Sequence, residues 1–243
     1  MKFIRANCRV QFSPADVEFI VRVLGTSTSE AACLRSLLTD EPSRDQLLDD
    51  PRLADALVNG LGCLQVSTRM YFYVLVRRAL LEAGVKDPQV ADYVAEMLAE
   101  FTEQRHLRCQ VPGHSEPLEY FVEMLAALAH ADERSAFLLR AHIGNYALFL
   151  TGLFPERLRY RQEYRGAPGL DYYERLGRSG FAAASTHRLA QQVELSSVYG
   201  ELAERFPETR RALNDVAERV FALGDQDRGV EALLAQARGA SLN

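Results

Sequence analysis

The chain is nearly without lysine. Lys2 and Lys86 are its only two, and it has no tryptophan. Its positive charge is therefore almost all arginine. Guanidinium forks suit carboxylate and phosphate recognition, but an Arg-, Ala- and Leu-rich composition is also what GC-rich coding produces, and that is the plainer reading. Cysteine is sparse too. Cys8, Cys33, Cys63 and Cys109 lie far apart with no CxxC pair, which excludes a disulfide frame and implies free thiols in a reducing compartment. The opening residues MKFIRANCRVQF lack the apolar stretch of a secretory signal. A cytosolic protein is expected.

Familiar catalytic signatures are missing as well. No GK pair marks a P-loop, no GxGxxG follows a strand, and HExxH, GxSxG, SxxK and EF-hand patterns are absent. These absences argue against the commonest enzyme classes and give no cofactor motif. The net charge of −5 argues against a general nucleic-acid binder, since phosphate contact favours a basic face.

The 243 residues are 48% hydrophobic and 25% charged, enough to bury a core without metals or disulfides. The patterning predicts a mainly α fold: one domain of about ten helices around two nearly all-apolar ones, 67–83 and 132–154. Start signals recur: Ser13-Pro14, Asp50-Pro51, Ser67 and Asp87-Pro88. Gly25, Gly84 and Gly166 supply stops. Long helices are expected over 186–206, 208–223 and 227–238. Residues 3–12 alternate, with Ile4, Cys8 and Val10 on one side, which predicts a minor N-terminal β element. Its expected partner is 107–111, inside the irregular stretch 105–116 that forms a weak internal boundary.

Three constellations carry chemistry. The first is His106, Cys109 and His114, with Cys8 near if the strands pair. The H-x2-C-x4-H spacing matches no standard finger, so a surface loop with one buried thiol is expected, and no metal. The second is LRAHIGNYALFLTGLF, residues 139–154. It is too short and too polar for a membrane span, which takes roughly 20 apolar residues. At about 100° per residue, His142, Asn145, Tyr146 and Phe149 share one stripe. Gly144 and Ala147 lie nearly opposite, where a neighbouring helix can come close. Thr151 can bond back to its own helix. Burying His142 and Asn145 unpaired would cost about 1–3 kcal/mol each, so both need partners. Tyr73 and Arg77, from the other apolar helix, are the expected ones. Tyr73, Arg77, His142 and Asn145 would then form a pocket for an anionic or planar ligand, or a network that fixes helix register.

The third constellation is RLRYRQEYR. Arg157, Arg161 and Arg165 repeat every four residues, interleaved with Tyr160 and Tyr164. This ridge is expected to be largely exposed. It suits an acidic partner, with the segment 40–55 as a candidate, or single-stranded nucleic acid.

Three functions follow. The favoured one is a helical protein-interaction or scaffold protein, self-associating or bound to another protein. The second is a small-molecule binder or enzyme using the Tyr73, Arg77, His142 and Asn145 pocket. The third is a nucleic-acid-associated factor using the arginine ridge.

Overall fold

A computed structural model describes residues 3–59, 66–102, 104–111 and 116–222. The expected helix at 227–238, Cys63 and His114 lie outside them. The fold is mainly helical, and among the described residues no helix is long and apolar enough to cross a membrane.

Four helices open the chain: α1 Pro14–Leu24, α2 Thr28–Leu37, α3 Glu41–Leu48 and α4 Pro51–Val58. Two long ones follow, α5 Thr68–Glu82 and α6 Pro88–Phe101, then the short α7 Gln104–Leu107 and α8 Phe121–Leu128. The second half holds α9 Glu133–Leu153, α10 Pro155–Arg165 and α11 Leu170–Ser185. It closes with α12 Arg188–Gln192, α13 Ser196–Glu204 and α14 Phe206–Ala222.

Local chemistry explains the boundaries. Ser13 and Asp16 form a reciprocal capping box on α1, with Pro14 at its first position. The second oxygen of Asp16 accepts from the Ser67 backbone N–H at 2.6 Å, so one buried carboxylate ties the starts of α1 and α5 together. Gly84, at φ 82°, ends α5. The Val85 N–H then reaches the Leu80 carbonyl at 2.8 Å and the Gly84 N–H reaches Leu81 at 3.1 Å, the paired bonds of a Schellman stop.

α5 packs along α6 and α14, and α9 along α11 and α14. One continuous apolar cluster runs from Ile4 to Ala217. Helices on both sides of 105–116 contribute to it.

Three expectations are corrected. Among the described residues the N-terminus forms no strand: Arg9–Gln11 is a 3-10 turn. Cys8 points inward as expected, but Val10 is 69% exposed. The cause is Asp92 of α6, which accepts the Arg9 backbone N–H at 2.8 Å and lies 3.3 Å from its guanidinium. Capturing Arg9 turns Val10 outward. The 107–111 segment meets Leu118 instead, in an isolated antiparallel bridge at Cys109. The long helix over 186–206 is split in two. Glu194, at φ 59°, makes the same paired stop that Gly84 makes, with Leu195 N–H on Ala190 O and Glu194 N–H on Gln191 O. α6 is largely buried, and Asp92, Glu96 and Glu100 are buried with it.

Candidate functional site

The predicted four-residue pocket divides. Tyr73 and Arg77 lie in one polar cluster and His142 and Asn145 in another. Arg77 is 5% exposed and grips Asp49 with two nitrogens, at 2.6 and 2.8 Å, while a third meets the Lys86 carbonyl at 2.7 Å. The Tyr73 ring lies under the Arg9 guanidinium at 5.8 Å. Its hydroxyl is buried without a hydrogen-bond partner among the described residues, and burial pushes its pKa up. Asp45 and Asp49 are spent on Arg9 and Arg77. The acidic 40–55 segment therefore answers these internal cations, not the α10 arginines.

The buried carboxylates of α6 continue this cluster. Glu96 accepts two bonds from Arg69, both at 2.8 Å. Glu100 meets Arg69 at 3.4 Å and the His106 Nδ1 at 3.0 Å. The i, i+4, i+8 spacing of Asp92, Glu96 and Glu100 puts them on one face, where Arg9, Arg69 and His106 from three other segments meet them. This row was missed because its partners are remote in sequence. Among the described residues no group of three or more His, Cys, Asp or Glu side chains is arranged to hold a metal ion.

His142 and Asn145 line a cavity of about 220 Å3 between α6, α9 and α13. The His142 Nε2 donates to the Leu107 carbonyl at 3.2 Å. Burial, partly opposed by that bond, pushes its pKa down to about 4, so the ring is neutral at pH 7. The Asn145 Oδ1 accepts from the Tyr93 hydroxyl at 2.8 Å. Tyr93 and Tyr199 hydroxyls stand 3.5 Å apart; since Tyr93 has given its proton to Asn145, Tyr199 is the donor. Burial pushes the Tyr93 phenol up to about 12. Tyr93 and Tyr199 are the functional side chains that the helix stripe alone did not reveal. The expected Thr151 back-bond is present, to Ala147 at 2.7 Å.

A second cavity, about 290 Å3, opens between α8, α10 and α11. Phe121, Tyr146, Tyr172 and Tyr173 supply aromatic walls, and Arg157 and Arg161 project into it. Arg157 and Arg161 are half-buried, not largely exposed as expected, while Arg165, Tyr160 and Tyr164 are exposed. The correction has a physical cause. α11 and the start of α8 rise beside α10 and wall in one of its faces. Burial, together with the Arg161 and Arg165 charges, pushes the Arg157 pKa down. Arg161 has no carboxylate within ion-pair distance among the described residues, and its Nε is buried without a hydrogen-bond acceptor. Arg108 borders both cavities and is answered by Glu119 at 2.8 Å. Around the second cavity stand exposed Tyr120 (45%), Val122 (72%) and Tyr172 (37%). The Tyr160 and Tyr164 rings, 4.7 Å apart, lie one step round α10.

Comparison with family models, curated proteins and solved structures gives no match.

Proposed function

We propose that this is a protein-interaction module, and that the face built by α8, α10 and the start of α11 docks an acidic segment carrying a bulky apolar anchor. The observation that carries this reading is Arg161. Its guanidinium enters a largely aromatic cavity whose one lining carboxylate, Glu119, is held by Arg108. Its Nε has no acceptor among the described residues, and a buried donor left unpaired costs about 1–3 kcal/mol. A carboxylate from outside removes that cost. Tyrosine and arginine are also the residues that dominate binding hot spots, and they concentrate here. The anchor fills the cavity between Tyr146, Tyr172 and Tyr173, while flanking acids meet Arg157, Arg161 and Arg165. Tyr160 and Tyr164 extend the contact. In this reading α5 and α9 are the stiff centre that holds the face in shape. The setting is cytosolic, as suits the buried free thiols of Cys8 and Cys109. No cofactor enters it, and no catalytic step.

The test is fluorescence anisotropy with a labelled peptide in which phenylalanine is flanked by glutamates. Binding is expected, weakening with salt and falling more than about tenfold in Arg161→Glu. A lysine-flanked version should not bind, and glutamates without the anchor should bind about tenfold more weakly. Failure of the acidic peptide to bind refutes the reading. So does tight oligonucleotide binding lost in Arg161→Glu, which would make the face a nucleic-acid surface instead. Native mass spectrometry decides whether a second copy supplies the segment: a dimer that becomes a monomer in Arg161→Glu assigns the docking segment to this chain itself.

A further inference from the structure

We infer that the cavity between α6, α9 and α13 is a binding site for a small planar ring compound bearing a carbonyl acceptor. Three observations meet there. The first is an unspent donor. Asn145 is 4% exposed, and its Oδ1 is taken by Tyr93, but its Nδ2 has no acceptor among the described residues and the side chain lines the cavity. That N–H is open to the cavity, and a carbonyl oxygen from a bound molecule would accept from it. The second is rigidity. The Tyr199–Tyr93–Asn145 chain fixes the amide, and the Leu107 carbonyl fixes His142. The donor is therefore aimed before anything binds, which lowers the cost of binding. The third is shape. The Phe101 and His142 rings, edge to face at 5.9 Å, form one aromatic side of the lining, Tyr93 and Tyr199 add two more rings, and the small Ala141 leaves space beside them. A volume of about 220 Å3 equals about seven waters at liquid density. That is the size of one substituted ring. The charged groups at its edge, Arg108 and Glu100, are already paired, with Glu119 and with Arg69, and His142 is uncharged near neutrality, so a neutral ligand is expected.

The experiment is saturation-transfer NMR on the full chain with three probes: acetophenone, benzamide and ethylbenzene. Acetophenone and benzamide should bind, and ethylbenzene, which lacks the acceptor, about tenfold more weakly. Asn145→Asp still accepts from Tyr93 but puts an oxygen where the N–H stood, and should lower acetophenone affinity at least about tenfold. Should that variant not fold, by far-UV circular dichroism, Ala141→Leu, one turn along α9 from Asn145, fills the space and should abolish binding of both carbonyl probes. Arg161→Glu should leave binding unchanged, which separates this site from the docking face. The inference is overturned if ethylbenzene binds as well as acetophenone. It is equally overturned if Ala141→Leu still binds the carbonyl probes, or if none of the three binds at millimolar concentration.

Discussion

Where α9 and α11 cross, Gly180 decides whether the two helices can touch. A Cβ built on Gly180 would lie 2.7 Å from the Arg140 carbonyl oxygen and 3.0 Å from the Gly144 nitrogen. Both are backbone atoms of α9, so no side chain can swing aside. Against ordinary contact the shortfall is about 0.7 Å, and the helices must part to absorb it. Parting them also lifts Phe181, which is fully buried and would lie within 3 Å of a Cβ on Gly144. Overpacking of this kind costs about 1–3 kcal/mol. Alanine recovers up to about 1 kcal/mol of helix propensity, so Gly180→Ala should destabilise by about 1–2 kcal/mol. Gly200, inside α13, is the control. A Cβ there meets nothing within 4 Å, so Gly200→Ala should stabilise by about 0.5–1 kcal/mol through backbone entropy. Urea unfolding followed by far-UV circular dichroism measures both, since the chain has no tryptophan to report by fluorescence. If Gly180→Ala is as stable as the wild type while Gly200→Ala gains, the α9–α11 contact is not held by that close approach and the reasoning fails.

Two further outcomes follow from buried charge. His142 has a folded pKa near 4, below its ordinary 6.5. The unfolded chain therefore takes up the proton first, and stability rises with pH across that window. The contribution is complete above pH 6.5 and is lost on acidification toward pH 4. Wild type should lose about 2 kcal/mol more than His142→Gln between pH 7 and pH 5; equal losses in parallel urea titrations would show that the imidazole is not held neutral. Arg77→Ala strands Asp49 and frees the Lys86 carbonyl. Asp49 is one-third exposed, which discounts the usual cost of breaking a buried pair to about 2–3 kcal/mol. Arg77→Lys should recover only part of it, because a single ammonium cannot make the two-nitrogen grip. A melting temperature unchanged in Arg77→Ala would refute the assignment.

Much of the local structure was legible because its causes are local. Ser13, Asp50, Ser67, Asp87 and Asp132 cap the helices they precede. Asp132 is the start that the patterning placed at 132, and Gly84 and Gly166 stop helices in the left-handed conformation. Gly144 was expected to admit a neighbouring helix, and α11 takes that place. Most of the failures involve distant partners. Residues 3–12 have a strand's alternation, but Asp92, more than eighty positions on, pulls Arg9 in and overrides it. Arg77 and His142 each needed a partner, and the apolar patterning of their helices suggested each other. The true partners, Asp49 and the Leu107 carbonyl, lie in segments whose placement no helical period encodes. Glu194 stops α12 with no glycine to announce it. The cavity beside α10 was hidden for the same reason: the repeat in α10 shows a ridge, and α8 and α11 make it the wall of a cleft.

The distribution of charge separates arginines held in internal ion pairs from Arg161. Arg9 is answered by Asp45 and Asp92, Arg69 by Glu96 and Glu100, Arg77 by Asp49 and Arg210 by Glu174. Each pair joins different elements, so these ion pairs fix how the helices sit. Pairing is what makes such burial tolerable, since an ion taken from water without a counter-charge costs several kcal/mol. The chain has acids to spare, with 33 Asp and Glu against 28 Lys and Arg, so scarcity does not explain why Arg161 lacks one. The one carboxylate lining its cavity, Glu119, is held by Arg108, and the rest of the wall is largely aromatic and apolar. A folded chain rich in carboxylates gains nothing in stability from that arrangement. In the proposed docking, another molecule supplies the missing counter-charge, and the aromatic walls set what must come with it: an acid next to something flat or bulky and apolar.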